Sequence, residues 1–197
     1  MTMPRVSAEH LEARRRQIMA AVRRCVGRKG FDSVSVQDVL DESGLSAGAV
    51  YRYFSSREEL VIAVADDILS SVRLTFEQSL ARRPLPPLSD LVAEVFTQES
   101  PMDATPESSR LMLRFWAAAA DQEALGKRLA DMLAEVRVLF ADIVRTYQEH
   151  GEIARDADPI AVADVLIGAV HGFVVRSAFT EDASIDALRH GLRALGG

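Results

Sequence analysis

Ser35-Val-Gln-Asp38-Val-Leu-Asp-Glu-Ser43-Gly44-Leu-Ser46-Ala-Gly-Ala-Val-Tyr51-Arg-Tyr-Phe54 decides the fold of this 197-residue chain. Ser35 followed by Asp38 is a capping-box variant, with the acid in the first turn where the helix dipole favours it. A short helix is predicted from there to about Ser43. Gly44-Leu45-Ser46 makes a tight turn, and Ser46 caps a second short helix over about 47–53. Val36, Val39, Leu40, Leu45, Val50 and Phe54 supply its core. Two short helices joined by a Gly-containing turn form the helix-turn-helix pattern. Its purpose is geometric: the second helix is short enough to enter a major groove, while the first braces it across the backbone.

Outward from this stretch, every segment reads as helix. Before it, Leu11, Ile18, Val22, Cys25 and Val26 form a helical stripe between Ser7 and Lys29, with arginines opposite and Gly30 as the stop. After it, Ser55 with Glu58 and Glu59 opens a long helix to about Arg82, broken by Pro84, Pro86 and Pro87. Helices are predicted over about Leu88–Glu99 and Glu107–Ala120, around a loop with Pro101 and Pro106. Leu125, Leu129, Met132, Val136, Leu139, Phe140, Ile143 and Tyr147 recur at threes and fours to Gly151. Asp158-Pro159 restarts a helix running to about Phe179, and a last one covers about Ser184–Leu195. No strand pattern occurs. The expectation is an all-α chain of about nine helices. Residues 1–54 form a three-helix helix-turn-helix domain, and residues 55–197 a larger helical domain.

Composition narrows the function. Apolar residues make up 48% and charged residues 26%, the balance of a soluble globular protein rather than a disordered one. The lone Cys25 forms no internal disulfide and fits a reducing, cytoplasmic compartment. The most apolar helix, 160–179, is interrupted by Asp164, His171 and Arg176, which argues against a membrane span. The net charge is −6, yet residues 1–60 carry 10 basic and 8 acidic side chains, leaving the acidity to the remainder. Arg5, Arg14, Arg15, Arg16, Arg23, Arg24, Arg28 and Lys29 all precede residue 30. A locally basic surface on an acidic protein is compatible with nucleic-acid binding. Gly44-Leu-Ser-Ala-Gly48 fits the nucleophile-elbow pattern, but that motif needs a preceding strand. His10, His150, His171 and His190 lack metal-ligand spacing, so no cofactor or metal is expected. A small-molecule-binding helical enzyme and a non-specific nucleoid module are the rival classes. The first lacks an assembled acid–base or metal set; the second would lose its DNA to competitor.

The stretch from Gly30 through Tyr51, Tyr53 and Phe54 to Leu60 resembles the TetR family of transcriptional regulators. The shared pattern is a glycine and an aromatic, a capped short helix, Gly-hydrophobic-Ser, Tyr-x-x-Phe, then Arg57, two acids and Leu60. Two departures stand out. Arg57 replaces the usual lysine and keeps its charge, and Ala49 replaces a small polar residue and loses a hydroxyl contact. The residues themselves fit that role. Tyr51 and Tyr53 carry hydroxyls for phosphates, Ser35 and Ser46 stand at helix N-termini, and Arg57 opens the next helix near the backbone. The chain contains no Asn. Base reading therefore falls to Gln37 on adenine and Arg52 on guanine or a phosphate, with Ala47 and Ala49 against thymine methyls and Gly48 permitting close approach. The competing roles are core packing for the tyrosines and plain capping for the serines.

The resemblance implies more for the second domain. Its last two helices would pair with those of a second copy, and the Gly168/Gly172 stripe of the apolar helix suits close helix approach. A homodimer doubles a short readout onto a palindromic operator on double-stranded DNA. The intervening helices would enclose an effector pocket, with Phe76, Phe96, Met112, Phe115, Trp116, Phe140, Tyr147 and His171 as candidates. Their apolar majority points to a hydrophobic or aromatic small molecule. The expected function is a ligand-responsive regulator, a repressor released by its effector, and not an enzyme.

Overall fold

The computed structural model describes residues 8–30, 33–96 and 105–195; Arg5, Ser7, Phe31 and Pro101 lie outside the described residues. Among these residues the regular elements are nine α-helices and one 3-10 turn. They run in the order α1 (Ala8–Lys29), α2 (Val36–Ser43), α3 (Ala47–Tyr51), α4 (Arg57–Leu80), α5 (Leu88–Ala93), the 3-10 turn (Glu94–Phe96), α6 (Pro106–Asp121), α7 (Glu123–His150), α8 (Pro159–Phe179) and α9 (Ile185–Leu195). The chain divides into two units, Met1–Ala65 and Asp66–Gly197. The sequence places that division at 54/55. Leu60, Val61 and Val64, in the first turns of α4, are buried.

In the first unit α1 buries Ile18, Met19, Ala21, Val22, Cys25 and Val26, and Val39, Val50 and Phe54 are buried with them. Val36, Leu40 and Leu45 are half-buried. Polar bonds fix α1 against α2: Gln17 donates to the Ser43 carbonyl (3.0 Å), and the Cys25 thiol to the Asp38 carbonyl (3.3 Å). Glu42 accepts from Arg24 (2.5 Å) and from Arg28, and Asp38 pairs with Lys29 (2.6 Å). Gly44 takes φ +67°, a left-handed C-cap that a side chain would oppose.

Helix ends largely follow their cap residues. Ser35 and Asp38 form the reciprocal capping box. Thr105 caps α6 and Asp158 caps α8, each followed by proline at the first helical position. Three ends differ from the sequence reading. α3 stops at Tyr51 rather than Tyr53. α4 opens at Arg57, with the Ser56 hydroxyl accepting from Glu59 N and the Glu59 carboxylate reaching back to Ser55 N. The helix after Pro87 tightens into the 3-10 turn at Glu94, whose carboxylate is held by Ser79 of α4 and by Arg82 just beyond it.

The second unit is built on α6, α7 and α8, which pack pairwise, with α5 against α9. Its core includes Phe76, Leu91, Phe96, Phe140, Ile143, Val144, Tyr147, Leu166, Val170 and Phe173. By length and composition α8 could cross a membrane. Here Ala163, Leu166, Val170, Phe173 and Val174 form its inward row in that core.

Candidate functional site

α3 presents one exposed side. Ala47, Gly48, Tyr51 and Arg52 recur at threes and fours and are exposed, Tyr51 at 52% despite its ring. Val50 points inward, and Ala49 and Tyr53 are half-buried. A β-carbon added at Gly48 meets nothing within 4 Å, so the backbone itself is open to approach. Ser46 occupies the N-cap position, but its hydroxyl makes no capping bond.

The remaining predicted contacts are more committed. The Ser35 hydroxyl is part of the capping box, bonded to the Asp38 carboxylate at 2.9 Å. Gln37 is exposed, and its amide donates to Asp41 at 2.8 Å. The Arg57 Nε donates to the Val34 carbonyl at 2.8 Å, tying the start of α4 to the segment before α2. Part of the basic face expected on α1 is likewise paired, since Arg24, Arg28 and Lys29 meet Glu42 and Asp38.

Lys29 and the Ser35 cap hold the Asp38 carboxyl down to about 2, below its ordinary 3.8. A depressed carboxylate contributes stability above its ordinary value and loses it as pH falls through the folded one. Melting followed by circular dichroism should therefore show a loss between about pH 4 and pH 2. Asp38→Asn should flatten that part of the profile while lowering stability at neutral pH.

In the second unit an apolar cavity of about 70 Å³ is lined by Ile68, Leu69, Val72, Val95, Met112, Trp116, Met132, Leu133, Val136, Phe140, Ile167, Val170 and His171. Four of the eight sequence candidates meet there: Met112, Trp116, Phe140 and His171. The other four do not line it. Phe76 is fully buried with its ring edge-on to Phe140 (5.3 Å), and Phe96 packs on Phe173 (4.8 Å). Phe115 is buried outside the lining, and the fully buried Tyr147 donates to the Pro86 carbonyl at 2.5 Å. Sequence reasoning missed the aliphatic walls because such residues carry no mark that separates a cavity wall from a core. His171 lies against Trp116 at 4.9 Å between ring centres. Burial lowers its pKa, so the imidazole is held neutral.

The outer side of α8 carries Val165, Gly168, Gly172, Val175 and Phe179, spaced three, four, three and four. All are exposed, Val165 at 69% and Phe179 at 76%. β-Carbons added at Gly168 and Gly172 meet nothing within 4 Å. That period is the one by which a helix seats a partner helix.

Comparison with known proteins bears on both units. Residues 18–64 match the family described as bacterial regulatory proteins, tetR family, and residues 87–196 match the family described as BetI-type transcriptional repressor, C-terminal. A Mycobacterium tuberculosis repressor, Rv1474c, is 41% identical over 63 residues, which cover 32% of this chain and 34% of that protein. The matched segment thus spans about a third of that relative. The BetI regulator of Cronobacter sakazakii is 28% identical over 181 residues, covering 90% of this chain and 85% of its own. Among solved structures, Salmonella enterica GusR superposes with a TM-score of 0.77 at 22% identity, over 97% of this chain and 96% of that one. A Saccharomonospora viridis regulator in complex with choline superposes at 0.69 and 21% identity, over 93% and 95%. These structural likenesses concern the fold.

Proposed function

Because this chain belongs to the tetR family of bacterial regulatory proteins and carries a BetI-type repressor C-terminal region, we propose that it represses transcription as a homodimer. It holds a palindromic operator in the cytoplasm and leaves it when a small apolar molecule binds. The exposed side of α3 carries the reading. Ala47, Gly48, Tyr51 and Arg52 leave it open to a groove, and no internal packing explains an exposed tyrosine beside an exposed arginine. Arg52 reads guanine or a phosphate, and Tyr51 positions on the backbone with help from Ser46 and Tyr53. Ser35 and Arg57 support the backbone contact while bracing the fold.

Dimerisation rests on the three–four stripe of α8. Two copies would bury Val165, Val175 and Phe179 and let the backbones approach at Gly168 and Gly172. The effector reading rests on the cavity. Its walls are apolar, with neutral His171 as the polar group, and the lining holds no carboxylate or basic side chain. A neutral apolar molecule with one hydrogen-bonding group fits that chemistry. The choline held by the Saccharomonospora viridis regulator is a cation; here Trp116 and Phe140 supply aromatic rings to the lining, which holds no opposite charge. The cavity is about half the roughly 150 Å³ that accommodates benzene. Ligand therefore requires side chains to give way, and the unbranched Met112 and Met132 are the ones built to do so. Binding then favours a helix arrangement that no longer matches the operator, a coupling free energy between cavity and DNA.

Selection of bound sequences from a random DNA pool tests the proposal. A palindrome should emerge and should weaken when an apolar effector is added; a pool without a shared motif sinks the regulator reading. The same selection with Gln37→Ala checks one reader. Preference should relax at one symmetric pair of bases by about 1–3 kcal/mol, less whatever Gln37 gives up by leaving Asp41. An identical motif removes Gln37 from the readers.

A further inference from the structure

We propose that the ion-pair chain Asp66–Arg128–Glu135–Arg73 is a strap across the mouth of the apolar cavity, with Arg128 as its bar. A ligand passing between α4 and α7 must break it. The inference rests on the reading of this cavity as a ligand site.

α6, α7 and α8 pack closely on one another, and all three contribute residues to the lining. Among the described residues, α4 makes no comparably close backbone approach to α7. Both helices contribute to the lining, Leu69 and Val72 from α4 and Met132 and Leu133 from α7. Leu133 of α7 both lines the cavity and is partly exposed, which makes this side the one proposed as the mouth.

The charged residues stand along the same edge. On α4, Asp66 and Arg73 flank Leu69; on α7, Arg128 and Glu135 flank Met132. Arg128 donates from Nε to Asp66 Oδ1 at 2.7 Å, with its Nη2 at 2.5 Å, and from Nη1 to Glu135 at 3.0 Å. Arg73 reaches Glu135 at 3.8 Å. The Arg128 side chain is 22% exposed, against 42% for Asp66 and 43% for Glu135. A planar guanidinium serves two carboxylates at once, which a lysine at this place would not do with fixed geometry. An apolar ligand offers these charges no replacement partner, so it must wait for the bridge to open.

The test is stopped-flow uptake of N-phenyl-1-naphthylamine, a neutral probe that brightens in apolar surroundings, by the full chain. Arg128→Gln and the near-isosteric Asp66→Asn should each take up the probe about two- to fivefold faster than the parent, the range set by a partly exposed ion pair. Raised salt should speed the parent and leave Arg128→Gln unchanged. Equal rates in the parent and both single variants overturn the strap and leave the cavity standing. Val136→Trp fills the cavity and should abolish uptake. Uptake undiminished by that filling, or absent from every protein, overturns the cavity as a ligand site and the strap with it.

Discussion

Gly168→Leu is expected to yield a folded, helical chain that sediments as a monomer and loses the palindromic operator of the proposed homodimer. Glycine costs about 1 kcal/mol relative to alanine inside a helix, so leucine improves the propensity of α8. The site is open within the chain: a β-carbon at 168 meets nothing within 4 Å. Gly168 is also exposed, so leucine there is expected to fit within its own chain. In the proposed dimer the clash falls on a second helix laid along Val165, Gly168, Gly172, Val175 and Phe179. Overpacking costs about 1–3 kcal/mol per site, and two-fold symmetry applies it twice. Sedimentation, a melting curve and operator binding measured together separate the outcomes. A stable dimer that still binds its operator would show that α8 does not pair through this stripe.

Phe76→Ala loses about 3–5 kcal/mol of stability, the usual consequence of deleting a fully buried ring. Phe76 is completely enclosed, and its ring stands edge-on behind Phe140, at 5.3 Å and 87°. At about 2–4 °C per kcal/mol for a chain of this length, the melting temperature should fall by roughly 6–20 °C. A second effect follows from position. Phe140 lines the cavity and Phe76 backs it, so the variant should admit bulkier apolar probes than the parent does. A fall of less than about 1 kcal/mol, well below the range for a buried ring, would show that the site collapses around the missing side chain.

The helical architecture was legible because its signals are local. Gly30, Gly44 and Gly151 end helices by adopting positive φ. Ser35 with Asp38, Thr105-Pro106 and Asp158-Pro159 start them through bonds within three residues. The ends that moved are those where a competing contact decided. Ser55 and Ser56 are equally good caps on paper, and the back-bond from Glu59 to Ser55 N leaves Ser56 at the cap.

The sequence by itself determined the helix order, the helix-turn-helix and the resemblance that names the family, since periodicity, caps and a contiguous motif all act within a few residues. Only the tertiary structure decided which side chains remain available. It turned Arg57 to the Val34 carbonyl and gave Arg24, Arg28 and Lys29 to acids of α2, and it exposed Tyr51 at the end of α3 and Arg52 just after it. It placed Trp116 and His171 on a cavity wall and Phe76, Phe96 and Tyr147 in the core, although all five sit on similar helical stripes. A stripe says that a residue faces inward. Whether it then meets another side chain or an empty space depends on helices tens of residues away, and that is decided by packing.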